Sequence, residues 1–253
     1  MFKKLAVLIL TYNEEKNIVD CISTVKFADE VIVVDSGSTD RTVELAESVG
    51  AKVVYQAMTQ GFAAQRNFAL TQTDSDWVMY LDADERVTAD LANEIKPIVQ
   101  SDDKAGYEIL RMNIVFGKMV KYGGHSPDYS LRLYPRCAIR WEGTVHEQAI
   151  VSLPIKRLKN VMHHHTYTDW DRYFFKFNQY TTLMARQMHE KGKRAKFTDI
   201  TLRPGFAFFR FYILKSGWRD GKIGFIFAVL HAFYTMAKYV KLEYLQKARP
   251  KTT

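Results

Sequence analysis

Asp82 and Asp84, separated by one alanine, directly follow an apolar run at 77–81. On an extended chain, side chains two residues apart share a face but lie about 6–7 Å from one another. A single cation reaches both carboxylates only if the strand turns there. The economical division gives one carboxylate a hard divalent cation, Mg2+ or Mn2+, and the other a sugar hydroxyl or a metal-bound water. Two more polar clusters follow apolar runs in the same way. Thr11-Tyr12-Asn13-Glu14-Glu15 comes after residues 5–10, and Asp35-Ser36-Gly37-Ser38-Thr39-Asp40 after 31–34. Each alone reads as loop and helix-cap chemistry, which Ser and Asp supply widely. Three acidic clusters at successive strand ends repel one another unless a cation or a donor-rich ligand offsets their charge.

The elements that must hold these clusters follow from periodicity. Apolar runs at 5–10, 31–34, 52–55 and 77–81 read as strands, and helical spacing appears at 15–25, 42–49 and 62–70. Continuous apolar strands alternating with helices predict a mostly parallel sheet covered on both faces, an α/β fold whose ligands meet the carboxyl ends of the strands. Beyond residue 101 the pattern changes to strands at 106–113, 130–134 and 148–153, expected to be antiparallel. Thr168-Asp169-Trp170-Asp171 has the form of a helix start, and Trp170, Tyr173, Phe174, Phe177, Met184 and Met188 then recur at helical spacing. That face is expected to pack on the domain. Residues 1–100 are therefore expected to form the parallel half of one domain, 101–165 its antiparallel half, and 166–253 a basic, aromatic-rich helical extension.

The chain has 253 residues, 36 Lys and Arg against 28 Asp and Glu, and only two cysteines. A chain of this size needs no staple to fold, and two distant cysteines exclude a disulfide scaffold and a zinc ribbon. The net charge of +8 hides an acidic front, with 9 basic and 16 acidic residues in the first hundred. The last hundred carry 20 basic and 6 acidic residues, interleaved with aromatics. Such a tail suits an anionic membrane surface or, less in keeping with the front half, single-stranded nucleic acid; a merely solvated basic face is the plain alternative. The six apolar residues at 5–10 are too few for a signal peptide. The apolar stretch at 223–237 falls short of the ~20 residues that cross a bilayer, and His231 interrupts it, so a buried or interfacial helix is expected.

The ordered motifs resemble those of glycosyltransferase family 2: Leu10-Thr11-Tyr12-Asn13-Glu14-Glu15, Val34 to Asp40, Gly61 with Arg66-Asn67, and Leu81-Asp82-Ala83-Asp84-Glu85. The resemblance implies a GT-A nucleotide-sugar-binding fold, with 1–100 as its nucleotide-sugar-binding half and 101–165 as its acceptor-side half, and an inverting, metal-dependent transferase. It implies that Thr11, Asn13 and Glu14 line the nucleotide pocket, that Asp35 holds uracil or ribose, and that Arg66 meets the base or phosphates. Asp82 would meet the ribose and Asp84 the metal. Arg203-Pro204, Tyr212-Ile213-Leu214-Lys215-Ser216-Gly217 and Asp220-Gly221-Lys222-Ile223-Gly224 resemble the tail of the lipopolysaccharide-core β-1,4-glucosyltransferase group.

A transferase of this kind needs a base, because a sugar hydroxyl attacks poorly while protonated. Asp128, Glu142 and Glu147 are the acidic candidates in the middle segment. Glu147 is preferred, within Trp141 to Gln148, which resembles a His-Glu motif of the same group, and Asp128 is the reserve. His163-His164-His165 sits before the expected helix as a polar hinge, and His164 or His165 could touch a diphosphate. The implied reaction moves a hexose, glucose by preference, from a UDP-sugar to an inner-core heptose of a lipid-linked oligosaccharide. It would take place at the cytoplasmic face of a bacterial inner membrane, on a peripheral enzyme that binds no nucleic acid. A sugar-1-phosphate nucleotidyltransferase fits less well, since the loop after the first strand is acidic and lacks glycine. The other rival, a non-enzymatic module binding nucleic acid through the basic end, would be indifferent to Asp84.

Overall fold

The computed structural model describes residues 2–59, 61–124, 126–143, 148–167 and 170–247. The chain forms two compact units, residues 1–112 with 128–164, and residues 113–127 with 165–253.

The first unit is built on a central sheet. Strand β1 (Leu5–Thr11) leads through α1 (Ile18–Ser23) to β2 (Glu30–Asp35), then through α2 (Thr42–Ser48) to β3 (Lys52–Tyr55) and through α3 (Phe62–Leu70) to β4 (Trp77–Asp82). All four strands run parallel, with β1 between β2 and β4. Alternation along β1 divides its side chains. Leu5, Val7 and Ile9 join a core with Ile18, Cys21 and Ile22 of α1 and Ala46 of α2. Ala6 and Leu8 face the other way, toward Ala69 of α3. Helices on both faces explain why β1 is apolar throughout rather than alternating.

After β4 the chain turns at once into β5 (Glu85–Val87) and α4 (Ala89–Gln100), whose Leu91, Ile95 and Val99 close the first core. Thr88 caps α4 by accepting from Leu91 N at 3.2 Å. Strand β6 (Gly106–Val115) continues into the second unit, where the short β7 (Lys118–Val120) pairs with its end. The chain returns to the first unit as β8 (Tyr129–Pro135), the hairpin β9 (Ile139–Glu142) and β10 (Gln148–Val151), and the long β11 (Ile155–Tyr167). Among the described residues the main sheet runs β3-β2-β1-β4-β8-β6-β11-β5, with β7 beside β6. Strands β4 and β8, and β8 and β6, are antiparallel. Only two residues separate the end of β4 from the start of β5, yet the strands sit far apart in sheet order. So short a link reaches only about 10 Å, so the sheet itself curls to bring β5 back near the end of β4.

One local expectation gives way. His163–His165 lie within β11 rather than in a hinge, because β11 pairs antiparallel with β5, an element that three residues of sequence do not announce.

The second unit adds α5 (Trp170–Glu190), α6 (Phe197–Phe209) and α7 (Gly221–Lys247). Its core gathers Val115, Val120, Tyr173, Phe211, Phe227 and Ala228. The expected stripe on α5 is only partly interior. Tyr173, Thr181 and Ala185 are buried and Phe177 packs against the core, whereas Trp170, Phe174 and Met184 stay exposed. At the crossing with α7, Lys241 Nζ lies 2.7–2.9 Å from Asn178 O, Asn178 Oδ1, Thr181 Oγ1 and Thr182 Oγ1 and shares its three protons among them. Helix α7 runs 27 residues, roughly 40 Å, well beyond the apolar stretch read in the sequence. With the preceding turn it is long and apolar enough to cross a membrane, by length and composition only. The expected helix start at Thr168 and Asp169 lies outside the described residues.

Candidate active site

The site of interest is the turn between β4 and β5 and the strand ends around it. Asp82 is the last residue of β4, and the chain turns through Ala83 and Asp84 before β5. Ala83 belongs to the core, so the turn is pinned from beneath. The buried Cys21 thiol donates to Asp82 O at 3.6 Å. Burial, above all, pushes that thiol well above its ordinary pKa, so it remains a donor rather than a thiolate.

The turn sends the two aspartates to different partners. Asp82 accepts from Arg132 of β8 at 2.6 Å and faces Arg66 of α3 at 3.5 Å, while its side chain remains 35% exposed. Burial works to raise its pKa, but Arg132 and Arg66 outweigh this and hold the carboxyl well below the usual range. Arg132 also meets Glu85 at 2.6 Å, and Arg111 of β6 bridges Glu85 at 3.3 Å to Asp128 at 2.9 Å. Arg66, Asp82, Arg132, Glu85, Arg111 and Asp128 thus alternate in sign along one connected network. Glu85 is fully buried, and desolvation raises its pKa, with Asp82 adding to the effect. Glu85 also accepts from Asp82 N at 3.0 Å, which locks the geometry of the turn.

Asp84 stands apart from this network. Its Oδ2 lies 3.6 Å from His164 Nε2, with both side chains largely buried. Strand pairing makes the meeting: His164 sits opposite Glu85, and Met162 opposite Val87 on the same face. His163 pairs with Arg86 and so points to the other face. His165 follows as the next residue of β11, half-buried. Among the described residues no group of three or more His, Cys, Asp or Glu side chains converges to hold a metal. A carboxylate and an imidazole fit a divalent cation that takes its other ligands from phosphate oxygens and water. The imidazole favours Mn2+ over Mg2+, which keeps to oxygen.

The first two strand ends supply the opposite wall. Thr11 is buried, and its Oγ1 has no hydrogen-bond partner among the described residues. Asn13 takes a left-handed backbone, φ 54°. Its N–H donates to Ser38 Oγ and its Oδ1 accepts from Thr39 N, both at 2.8 Å. Glu14 N donates to Thr42 Oγ1 at 2.8 Å, and its carboxylate accepts from Asn17 at 2.7 Å. Asp35 is buried and accepts from Gly37 N, Ser38 N and Ser38 Oγ. These side chains therefore order the two loops against each other. Gln65, on α3, ties the second loop to β3 through Ser36 Oγ and Gln56 O.

Arg66 is buried against two rings: its guanidinium lies 4.6 Å from the Trp141 ring and 5.3 Å from Tyr80. Asn67 clamps β9 beside it, donating to Trp141 O at 2.8 Å and accepting from Trp141 N at 2.9 Å. Of the acidic base candidates, Asp128 is engaged by Arg111 and Glu142 pairs with Arg140 at 2.8 Å. Glu147 lies outside the described residues, as do Thr144, Val145 and His146 beside it.

Arg132, Arg111 and Glu85 carry the network without having been singled out in the sequence. A signal for Arg132 was present: an arginine at the centre of the apolar strand Tyr129–Pro135 is buried only when paired. Arg111 in β6 offers a similar but weaker hint, since its strand is only half-buried.

Comparison with known proteins places these motifs. Residues 6–157 match the family described as Glycosyl transferase family 2. A lipopolysaccharide core biosynthesis glycosyltransferase, LpsC of Rhizobium meliloti, is 32% identical over 97% of this chain and 95% of its own length. An uncharacterized glycosyltransferase of Rickettsia bellii is 29% identical over 96% of this chain and 87% of its own. Among solved structures, glucosyl-3-phosphoglycerate synthase of Mycobacterium tuberculosis in complex with Mn2+, UDP and phosphoglyceric acid is 27% identical, with TM-score 0.35, over 42% of this chain and 43% of that chain.

Proposed function

This chain belongs to glycosyl transferase family 2 and has that family's GT-A fold with a helical C-terminal region, and from this premise we propose that it is an inverting enzyme moving a hexose from a UDP-sugar to a lipopolysaccharide core acceptor. The carrying observation is the pairing of Asp84 with His164 at the carboxyl end of β4, beside the Arg66–Asp82 ion pair. Ligands of parallel sheets bind at such ends.

In this reading Thr11, Asn13, Glu14 and Asp35 shape the nucleotide pocket, and the orphan Thr11 hydroxyl meets the donor. Asp82, kept ionised by two arginines, accepts from ribose hydroxyls through its exposed edge. Arg66 stacks against Trp141 and offers its charge to the base or the phosphates. Asp84 and His164 would hold Mn2+ or Mg2+, which when bound neutralises charge on the diphosphate leaving group. His165, on the neighbouring position of β11, is a second candidate for the diphosphate. Glu147 takes the proton from the acceptor hydroxyl. Asp128, the reserve, is drawn toward Arg111, which makes it the less available base. A single displacement on the face opposite the diphosphate inverts the anomeric centre, so an α-linked donor gives a β-glycoside. The likeness to LpsC supports a lipopolysaccharide core acceptor, while glucose as donor sugar and an inner-core heptose as acceptor rest on the resemblance of the tail motifs to the core glucosyltransferase group.

The second unit is proposed to rest on the anionic cytoplasmic face of the inner membrane, as a peripheral contact. Helix α7 is apolar around most of its circumference, a pattern for helices buried in protein or lipid. Phe225, Val229, Phe233 and Val240 stay exposed on it.

UDP release measured over a panel of UDP-sugars, with and without Mn2+, tests the donor reading. Asp84→Ala should lower release by about 10²–10³-fold with an unchanged melting temperature. Glu147→Gln should keep donor binding and lose transfer by about 10²–10⁴-fold. Full activity of Asp84→Ala discards the metal assignment.

A further inference from the structure

The second unit holds a cavity of about 300 Å³ lined by Gly123, Gly124, Ala207, Arg210, Phe211, Lys215 and His231. That is the lower end of the volume typical of small-molecule sites. The chain goes to some length to build it. Residues Arg210–Leu214 form a single π-helical turn at the end of α6. Lys215 N donates to Arg210 O at 2.9 Å across that turn. In an α-helix, residues five apart point well away from each other; the wider turn brings Arg210 and Lys215 onto one side. Such turns recur at functional sites because they are otherwise unfavourable.

Glycine geometry completes the wall. Gly123 N donates to Lys215 O at 3.0 Å, and Gly124 has φ +94°. A Cβ at Gly124 would stand 2.8 Å from Lys215 Nζ, so the ammonium lies against bare backbone there. On the far side of the turn, a Cβ at Gly224 would fall 1.9 Å from Gly217 O, so only glycine lets α7 start against it. This is the Tyr212 to Gly224 motif of the sequence, which the donor site leaves unused.

Several other cations of this unit are matched. Arg203 pairs with Asp199 at 2.5 Å, Lys247 with Glu243 at 2.6 Å, and Arg219 covers Tyr122 at 4.5 Å. Neither Arg210 nor Lys215 has an ion pair or side-chain hydrogen bond among the described residues. The field they create is felt nearby. Desolvation first, then Lys238, Lys215 and Arg210, hold His231 below its ordinary pKa.

We propose that this cavity is a binding site for a phosphate group, held by Arg210 and Lys215 with His231 on its rim. A guanidinium offers paired donors to phosphate oxygens and an ammonium a point charge, the usual division of labour for this anion. The group belongs either to a phosphorylated saccharide or to a phospholipid headgroup. The site goes beyond the donor reading and stands without it.

Nuclear magnetic resonance titration of the full chain with inorganic phosphate is the test. Shifts should localise to Gly123, Gly124 and the His231 imidazole. Lys215→Gln and Arg210→Gln should each weaken binding by tenfold or more. Lys96→Gln, which removes the same charge from exposed α4, should leave it unchanged. Equal affinity in all variants, or equal weakening by Lys96→Gln, overturns the proposal. Vesicles of phosphatidic acid in phosphatidylcholine separate the sources: Lys215-dependent flotation assigns a headgroup. Lys215-independent flotation, with glucose 6-phosphate displacing inorganic phosphate, assigns a saccharide phosphate. UDP release in the absence of acceptor should match wild type in both pocket variants, which keeps this outcome separate from that of the donor site.

Discussion

The reaction centre of the first unit and the cavity of the second handle cations in opposite ways. In the first, Arg132 and Arg111 are spent inside a network with Asp82, Glu85 and Asp128, paired with carboxylates before any ligand arrives. In the second, Arg210 and Lys215 share a cavity with no acidic partner among the described residues. An internally matched arginine fixes geometry, whereas an unmatched one offers charge to something from outside. The first arrangement suits a reaction centre that must hold carboxylates at set positions. The second suits recognition.

The sharpest way to break this contrast is to remove the central cation of the network. Arg132→Met leaves Asp82 and Glu85 facing each other with no shared partner, and should destabilise the chain by about 3–5 kcal/mol. Urea unfolding gives the number, and a loss below 1 kcal/mol would mean that the network is not interdependent. A smaller effect lies in pH. Asp82 has its folded pKa depressed, so the stability it adds is present above the unfolded value near 3.9 and is lost as pH falls through the folded one. The difference in unfolding free energy between wild type and Asp82→Asn should therefore hold steady from neutrality to about pH 4 and shrink below it. A difference that shrinks between pH 7 and 5 would contradict the assignment. Least of all should change with Arg210→Met, within about 0.5 kcal/mol, because no folded partner is lost.

Much of the first unit was legible. The strands read at 5–10, 31–34, 52–55 and 77–81 correspond to β1, β2, β3 and β4, since each is a continuous apolar run flanked by turn residues. Strand β11 was not, because Lys156, Arg157, Lys159, Asn160 and three histidines give it no alternation, and its extended form comes from its neighbours in the sheet. The site divided along the same line. Residues within one motif, such as Asp82 and Asp84, could be found by spacing. Arg132 and Arg111 reach Asp82 and Glu85 from strands 26 to 50 residues away, a distance no local pattern spans. The length of α7 was underestimated because Lys222 and Lys238 interrupt apolar composition without interrupting helical backbone.

Met162 has no part in any proposed chemistry, yet it selects the imidazole that does. It is wholly buried opposite Val87, two positions before His164 on the same side of β11. Sliding β11 by one residue would present His163 or His165 to Glu85 and drag the methionine out of its apolar berth. Three consecutive imidazoles would otherwise be interchangeable. An oily side chain acts as the key that keeps the strand in its slot.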